Sequence, residues 1–182
     1  MLKILFTLII ISLNFVLNAQ EKYITRNGNI SFEASVASFE EIKAKNSNTT
    51  AILKKSSGEF ALLALIKGFK FKIALMEEHF NENYIESNQF PKATFKGEII
   101  DFDYEELSNN YQKIELEGIL EIHGIPKKIK TNAKIKLNDK SILLSGKFKI
   151  SPIDFNIKIP SIVKNKIAEE VLINFNFEMT PK

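Results

Sequence analysis

The sequence predicts an all-β protein, a closed antiparallel β-barrel of about eight strands with one short helix over it. Three observations carry the prediction. After residue 20 most of the chain alternates apolar and polar residues with period two, the pattern of strands with one wet face and one buried face. Turn-forming clusters interrupt the alternation and leave little room for crossover helices, so sequential strands are antiparallel neighbours. Gly97, Gly118 and Gly146 fall inside strands on the inward phase, where a strand coils sharply or another group approaches its backbone closely. An open sheet of that size would expose a greasy face and two unpaired edges, and the inward glycines favour a barrel over a sandwich as the way to hide them.

The chain opens with Lys3 and an apolar run from Ile4 to Leu17, then Leu17-Asn18-Ala19 before the charged Glu21 and Lys22. That run is shorter than a membrane span and ends on a small residue, so residues 1–19 read as a secretory signal peptide and residues 20–182 as one domain. The expected location is periplasmic or extracellular. There is no cysteine, which excludes disulfides, thiolate nucleophiles and cysteine zinc sites. Twenty-five basic residues against 22 acidic ones give a formal charge of +3, and Arg26 is the only arginine, so the chain lacks the footprint of a nucleic-acid binder.

In chain order, the first strand places Ile30, Phe32, Ala34 and Val36 on one face. Between Glu41 and Ile73 the strands look short, with Phe69, Phe71 and Ile73 in phase at the end. Phe95 and Ile99 mark the strand after Pro91. Residues 113–122 turn Ile114, Leu116, Leu120 and Ile122 inward and Glu115, Glu117 and Glu121 outward. Residues 128–137 turn Ile129, Ala133, Ile135 and Leu137 inward, and the connection at 124–127 suits a hairpin in which glutamates and lysines pair across the strands. Ile142, Leu144, Phe148 and Ile150, and then Val171, Ile173, Phe175, Phe177 and Met179, complete the set. Asn27-Gly28-Asn29, Ser56-Ser57-Gly58, Ser108-Asn109-Asn110 and Asn138-Asp139-Lys140 are the turns between strands.

Two segments break the pattern. Met76, His79, Phe80, Asn83, Tyr84 and Ser87 fall at the spacing of one helical face and Glu77, Glu78, Asn81, Glu82, Ile85 and Glu86 on the other, predicting a helix over about 76–87 that ends before Pro91. A second, short helical turn is expected at about 161–168, after Pro160. Of the two histidines, His79 has Glu82 three residues on, a spacing that can bring two ligands to one ion. No HExxH or second helical histidine accompanies it, so no metal site is expected. His123 reads as the cap of the hairpin turn beside Gly124. The chain has no GxSxG elbow and no glycine-rich phosphate loop, and Asp101 and Asp103 read as a solvated pair, so no catalytic residues are expected.

What remains is an apolar interior: fifteen phenylalanines, no tryptophan and few inward polar groups. Barrels of about eight strands are either filled by side chains or hold one ligand. Met76-Glu77-Glu78-His79-Phe80 followed by Tyr84, Phe90-Pro91 and Ala93-Thr94-Phe95 resembles the helix-then-strand signature of the YceI-like family, exported proteins that bind polyisoprenoids and related lipids. Gly118 to Gly124 resembles that family's second motif, and Asp154-Phe155-Asn156-Ile157 its third, so the likeness spans about residues 21–180. Glu77-Glu78 stands where the family usually has a basic residue followed by an acid, and Asn156 where it usually has glycine.

The resemblance implies a lipocalin-like barrel whose tunnel holds an isoprenoid, quinone or fatty-acyl lipid and no other cofactor. Phe32, Phe71, Phe95, Leu116, Leu120, Phe148 and Phe175 would contact the chain, and Met76, Phe80 and Tyr84 would cover it as a lid. His79 would be the lid's polar tether or a head-group contact. Transient membrane contact and a homodimer stay open. The alternatives are a ligand-free packed barrel serving as an envelope-stress or protein-interaction module, and a hydrolase using His79 and Glu82.

Overall fold

The computed structural model describes residues 22–182; the expected signal peptide lies outside them. Nine strands follow in sequence: β1 (Lys22–Ser35), β2 (Lys43–Lys54), β3 (Glu59–Leu65), β4 (Lys70–Phe71), β5 (Lys92–Ile99), β6 (Gln112–Ile122), β7 (Ile125–Asn138), β8 (Ser141–Ile150) and β9 (Ile167–Pro181). Their order is β1-β9-β8-β7-β6-β5-β3-β2, and β1 also pairs with β2, so eight antiparallel strands close into a barrel. β4 is an extra two-residue strip that pairs Phe71 with Ala44 and Lys70 with Lys45 of β2. Closure leaves the eight long strands without a free edge.

The β6–β7 hairpin is as the alternation predicts. It runs from Gln112 opposite Ile135 to Ile122 opposite Ile125, around His123 and Gly124, both at positive φ (53° and 71°). Two successive left-handed residues match the twist of paired strands. The expected glutamate–lysine pairs form, but on the diagonal. Glu117 stands opposite Lys130 and bonds Lys128, while Glu115 stands opposite Asn132 and bonds Lys130 at 2.7 Å. Long side chains on a twisted sheet reach the neighbour two residues along as readily as the one directly across. The hydrogen bond from Lys128 holds the Glu117 carboxyl below its ordinary range.

The short strands expected between Glu41 and Ile73 are not all short, because β2 has twelve residues. Its inward positions are Ala44, Asn46, Thr49, Ala51 and Leu53, all buried and four of them small or polar, so the alternation carries almost no hydrophobic signal. Asn46 is held inside by donating Nδ2 to the Leu65 carbonyl and accepting from the Asn48 backbone N–H, both at 2.9 Å.

The inward glycines are close-approach sites. Phe95 lies over Gly97 and Gly118, which face each other across β5 and β6; Phe175 lies over Gly146, and Phe177 over Gly28, which lies inside β1 at a break in its register with β2 and not in the turn expected at 27–29. A Cβ at Gly118 would stand 2.6 Å from the Phe95 ring and 2.5 Å from the Lys96 carbonyl oxygen. With Phe60, whose ring centroid lies 6.1 Å from Phe95 and 5.8 Å from Phe177, these rings form a floor across the barrel. Phe175 and Phe177 stack at 5.7 Å. Beyond the floor the barrel is filled, with Ile135, Ile142, Leu144 and Met179 fully buried. At Gly146 an added Cβ meets the Phe175 ring at 2.5 Å and the Ala133 methyl at 3.2 Å. Gly146→Ala should therefore cost about 2 kcal/mol in urea unfolding, and Phe175→Leu in the same chain should recover part of it in a double-mutant cycle.

Candidate functional site: a lidded apolar cavity

On the other side of the floor the barrel is hollow. A cavity of about 350 Å³ opens there. It has room for roughly a dozen groups the size of a water molecule or a methylene. Phe60, Phe95, Phe175 and Phe177 make its base, and Ile30, Phe32, Ala64, Leu116, Leu120, Ile129, Phe148 and Ile173 its wall. Among the described residues, polar side chains reach it only from His79, Tyr84, Thr131 and Lys166. The interior can desolvate an apolar chain and offers it almost nothing to hydrogen-bond.

All ten residues expected to face a lipid line this one cavity: Phe32, Phe71, Met76, Phe80, Tyr84, Phe95, Leu116, Leu120, Phe148 and Phe175. His79 reaches its rim. Sequence reasoning missed Phe69, Ile85 and the stretch from Pro152 to Ile167, which contributes Ile157, Ile159 and Val163. The last group lies outside the strands, where period two gives no phase to read.

The helix begins and ends slightly earlier than its spacing predicts. α1 (Ala74–His79) continues as a wider turn, Phe80–Tyr84, closed by the Ile85 N–H donating to the Phe80 carbonyl. That i→i+5 bond inserts an extra residue and rotates the residues beyond it about the helix axis. Ile85, expected on the outer face, is therefore buried, while Asn83 is exposed.

Phe80 is the lid's main attachment. Its ring centroid lies 5.3 Å from Phe32, 6.2 Å from Phe69 and 5.2 Å from Phe71. Contacts of this kind add about 0.5–1.5 kcal/mol each beyond burial. His79 is exposed, and the structure gives it no hydrogen bond, so it does not tether the lid. Glu77 does. It accepts from Lys70 Nζ and, at 3.2 Å, from the Phe71 backbone N–H, tying the first turn of α1 to β4. Asn81 Nδ2 donates to the Glu77 carbonyl at 2.8 Å. Glu82 does not line the cavity, and among the described residues no group of three or more His, Asp or Glu could hold a metal ion.

His123 does more than cap its turn. The side chain is buried, with Nδ1 3.0 Å from the Phe155 carbonyl oxygen and Nε2 3.0 Å from Glu86 Oε2. A carbonyl can only accept, so Nδ1 donates to it, and Nε2 faces the Glu86 carboxylate. The Phe90 ring packs edge-on at 4.2 Å and lies against Gly124. The turn Pro152–Phe155 buries Phe155 and ends on Asn156 at φ 56°, a conformation glycine or asparagine adopts with least strain. The helix-to-strand segment, the β6–β7 hairpin and this turn therefore meet at one imidazole. They are the three stretches that carry the family likeness.

A family model for the YceI-like domain matches residues 16–179. The chain belongs to the YceI-like family. Solved structures with this fold include a polyisoprenoid-binding domain from Saccharophagus degradans (TM-score 0.75, 15% identity, covering 90% of this chain and 99% of that one). BcnA of Burkholderia cenocepacia aligns with TM-score 0.70 and 18% identity over 84% of this chain and 96% of its own. The YceI protein of Campylobacter jejuni gives 0.64 and 18% over 79% and 87%. No curated protein matches the sequence. At these identities the structural likeness establishes the YceI-like barrel, and the ligand question turns on this chain's own cavity.

Two outcomes are expected. Removing the buried clasp with His123→Ala should lower stability by about 2–3 kcal/mol, and hydrogen exchange should speed up at the lid and at the turn around Phe155. The hydrogen bond from Lys70 holds the Glu77 carboxyl below its ordinary value, against desolvation that raises it, and the Phe71 N–H adds to the lowering. A lowered native value means the tether is complete at neutral pH and is lost as pH falls through that value, below the ordinary glutamate range. Lid amides should therefore exchange faster on acidification, and Glu77→Gln, costing at most about 1 kcal/mol because the pair is near the surface, should remove that dependence.

Proposed function

We propose that this protein is an exported, non-enzymatic lipid carrier that holds a long apolar chain in the hollow end of its barrel beneath the α1 lid. The observation that carries the reading is the cavity, about 350 Å³ and lined almost wholly by aliphatic and phenyl groups. Membership of a family that includes a polyisoprenoid-binding domain supports the ligand class. The leader-like residues 1–19 support export, to the periplasm or the cell exterior. The ligand is an isoprenoid, quinone or fatty-acyl lipid. A chain longer than the cavity extends through the mouth between the lid and the 157–167 segment, where Tyr84, His79 and Lys166 are the polar groups available to a head group. Transfer between a membrane and an apolar cavity is close to neutral in the hydrophobic term, which suits reversible loading.

Solvent extraction of protein purified from its native host, followed by mass spectrometry, should recover one lipid per chain. A protein that stays empty after incubation with prenols, quinones and fatty acids would overturn the reading. Ala93 stands opposite Ala64 on neighbouring strands, and both line the cavity. Ala93→Phe should fill the void and reduce bound lipid at least about tenfold while leaving the thermal midpoint unchanged or higher. A large loss of stability instead would show that the space is not free.

A further inference from the structure

We infer that the segment from Pro152 to Lys166 is a membrane-docking foot that seats the cavity mouth on an anionic lipid bilayer. The inference rests on the carrier reading for its purpose but not for its evidence. Ile162 is 83% exposed and Ile153 77% exposed, more than any other large apolar residue among those described. Single exposed apolar residues are ordinary on a soluble protein. These two are unusual in position, because each adjoins a residue that lines the cavity: Ile153 follows Pro152, and Ile162 precedes Val163. Between them Ile157 and Ile159 face the cavity. The segment therefore has an inner side that walls the mouth and an outer side with isoleucines in water.

Charge selects the partner. Lys158, Lys164 and Lys166 are exposed and form no ion pair among the described residues. Asp154 is the only acid in the segment. The lid carries Glu78 and Glu82, both exposed, together with the exposed Lys72 and Leu75. The segment thus carries net positive charge and the two most exposed isoleucines, whereas the unpaired exposed charges of the lid are net negative, so an anionic surface favours the foot over the lid. Docking in that orientation lets two isoleucine side chains enter the acyl boundary beside the mouth while the lid stays clear to move. A lysine next to an anionic membrane is worth about fivefold in partitioning.

The test is co-sedimentation of the protein, purified after export, with vesicles of phosphatidylcholine alone or mixed with phosphatidylglycerol. The mixed vesicles should retain it and the neutral ones release it, and added salt should weaken the binding. The pair Ile153→Ser and Ile162→Ser, and separately the pair Lys158→Glu and Lys164→Glu, should each lower binding about tenfold or more with the thermal midpoint and extractable lipid unchanged. Parent-like binding by both double variants, or no binding to anionic vesicles by the parent, overturns the foot. A dimer of the parent that both variants break also overturns it, since a second copy is then the occupant. Extraction of the same samples separates the two readings: lipid recovered without vesicle binding removes the foot and leaves the carrier, and vesicle binding with an empty barrel does the reverse.

Discussion

Three phenyl rings laid over four glycines decide what kind of barrel this is. An eight-stranded barrel is narrow enough to be filled by its own side chains, and the sequence supplies enough phenylalanine to do so. Filling is instead confined to one end. Phe95, Phe175 and Phe177 press against Gly97, Gly118, Gly146 and Gly28, and Phe60 closes the layer between Phe95 and Phe177. A ring can lie that close to a strand only where the Cβ is missing, so each glycine lets a phenyl group pack against the wall instead of projecting along the axis. The floor keeps the packed half dry and leaves the other half vacant.

That division places stability and function at opposite ends. The filled end has interior-like packing, and cooperative opening there would cost the most. The hollow end lacks a core of its own and is held by a few directed contacts. Phe80 among three other rings, Glu77 to the β4 strip, and His123 between Glu86 and Phe155 account for most of them. Such a rim can open locally without unfolding the barrel.

The strands and the wall were legible where inward residues were large and apolar. Phe32, Phe71, Phe95, Leu116, Leu120, Phe148 and Phe175 all lie where their alternation puts them. β2 was obscured because Ala44, Asn46, Thr49 and Ala51 fill the narrow interior with small or polar groups, so burial left no hydrophobic trace. Ile85 was assigned to the wrong face because the spacing assumed 3.6 residues per turn, and one i→i+5 bond shifts the phase. In the 152–166 segment the short helical turn after Pro160 was legible and forms at Ser161–Lys166, but single helical turns give no inward phase to read, and nothing in the composition says that the segment walls the mouth.

The sequence by itself determined the class of fold, the inward face of most strands, the site of the helix and the apolar character of the interior. These arise from local periodicity and turn chemistry, which act over a few residues. Only the tertiary structure decided that the interior is half full, that Phe80 and Glu77 hold the lid while His79 does not, and that His123 joins three distant stretches. Each of those depends on groups that meet from far apart in the chain, Phe95 with Gly118 or His123 with Glu86 and Phe155, and no local pattern encodes which distant partner a buried side chain will find.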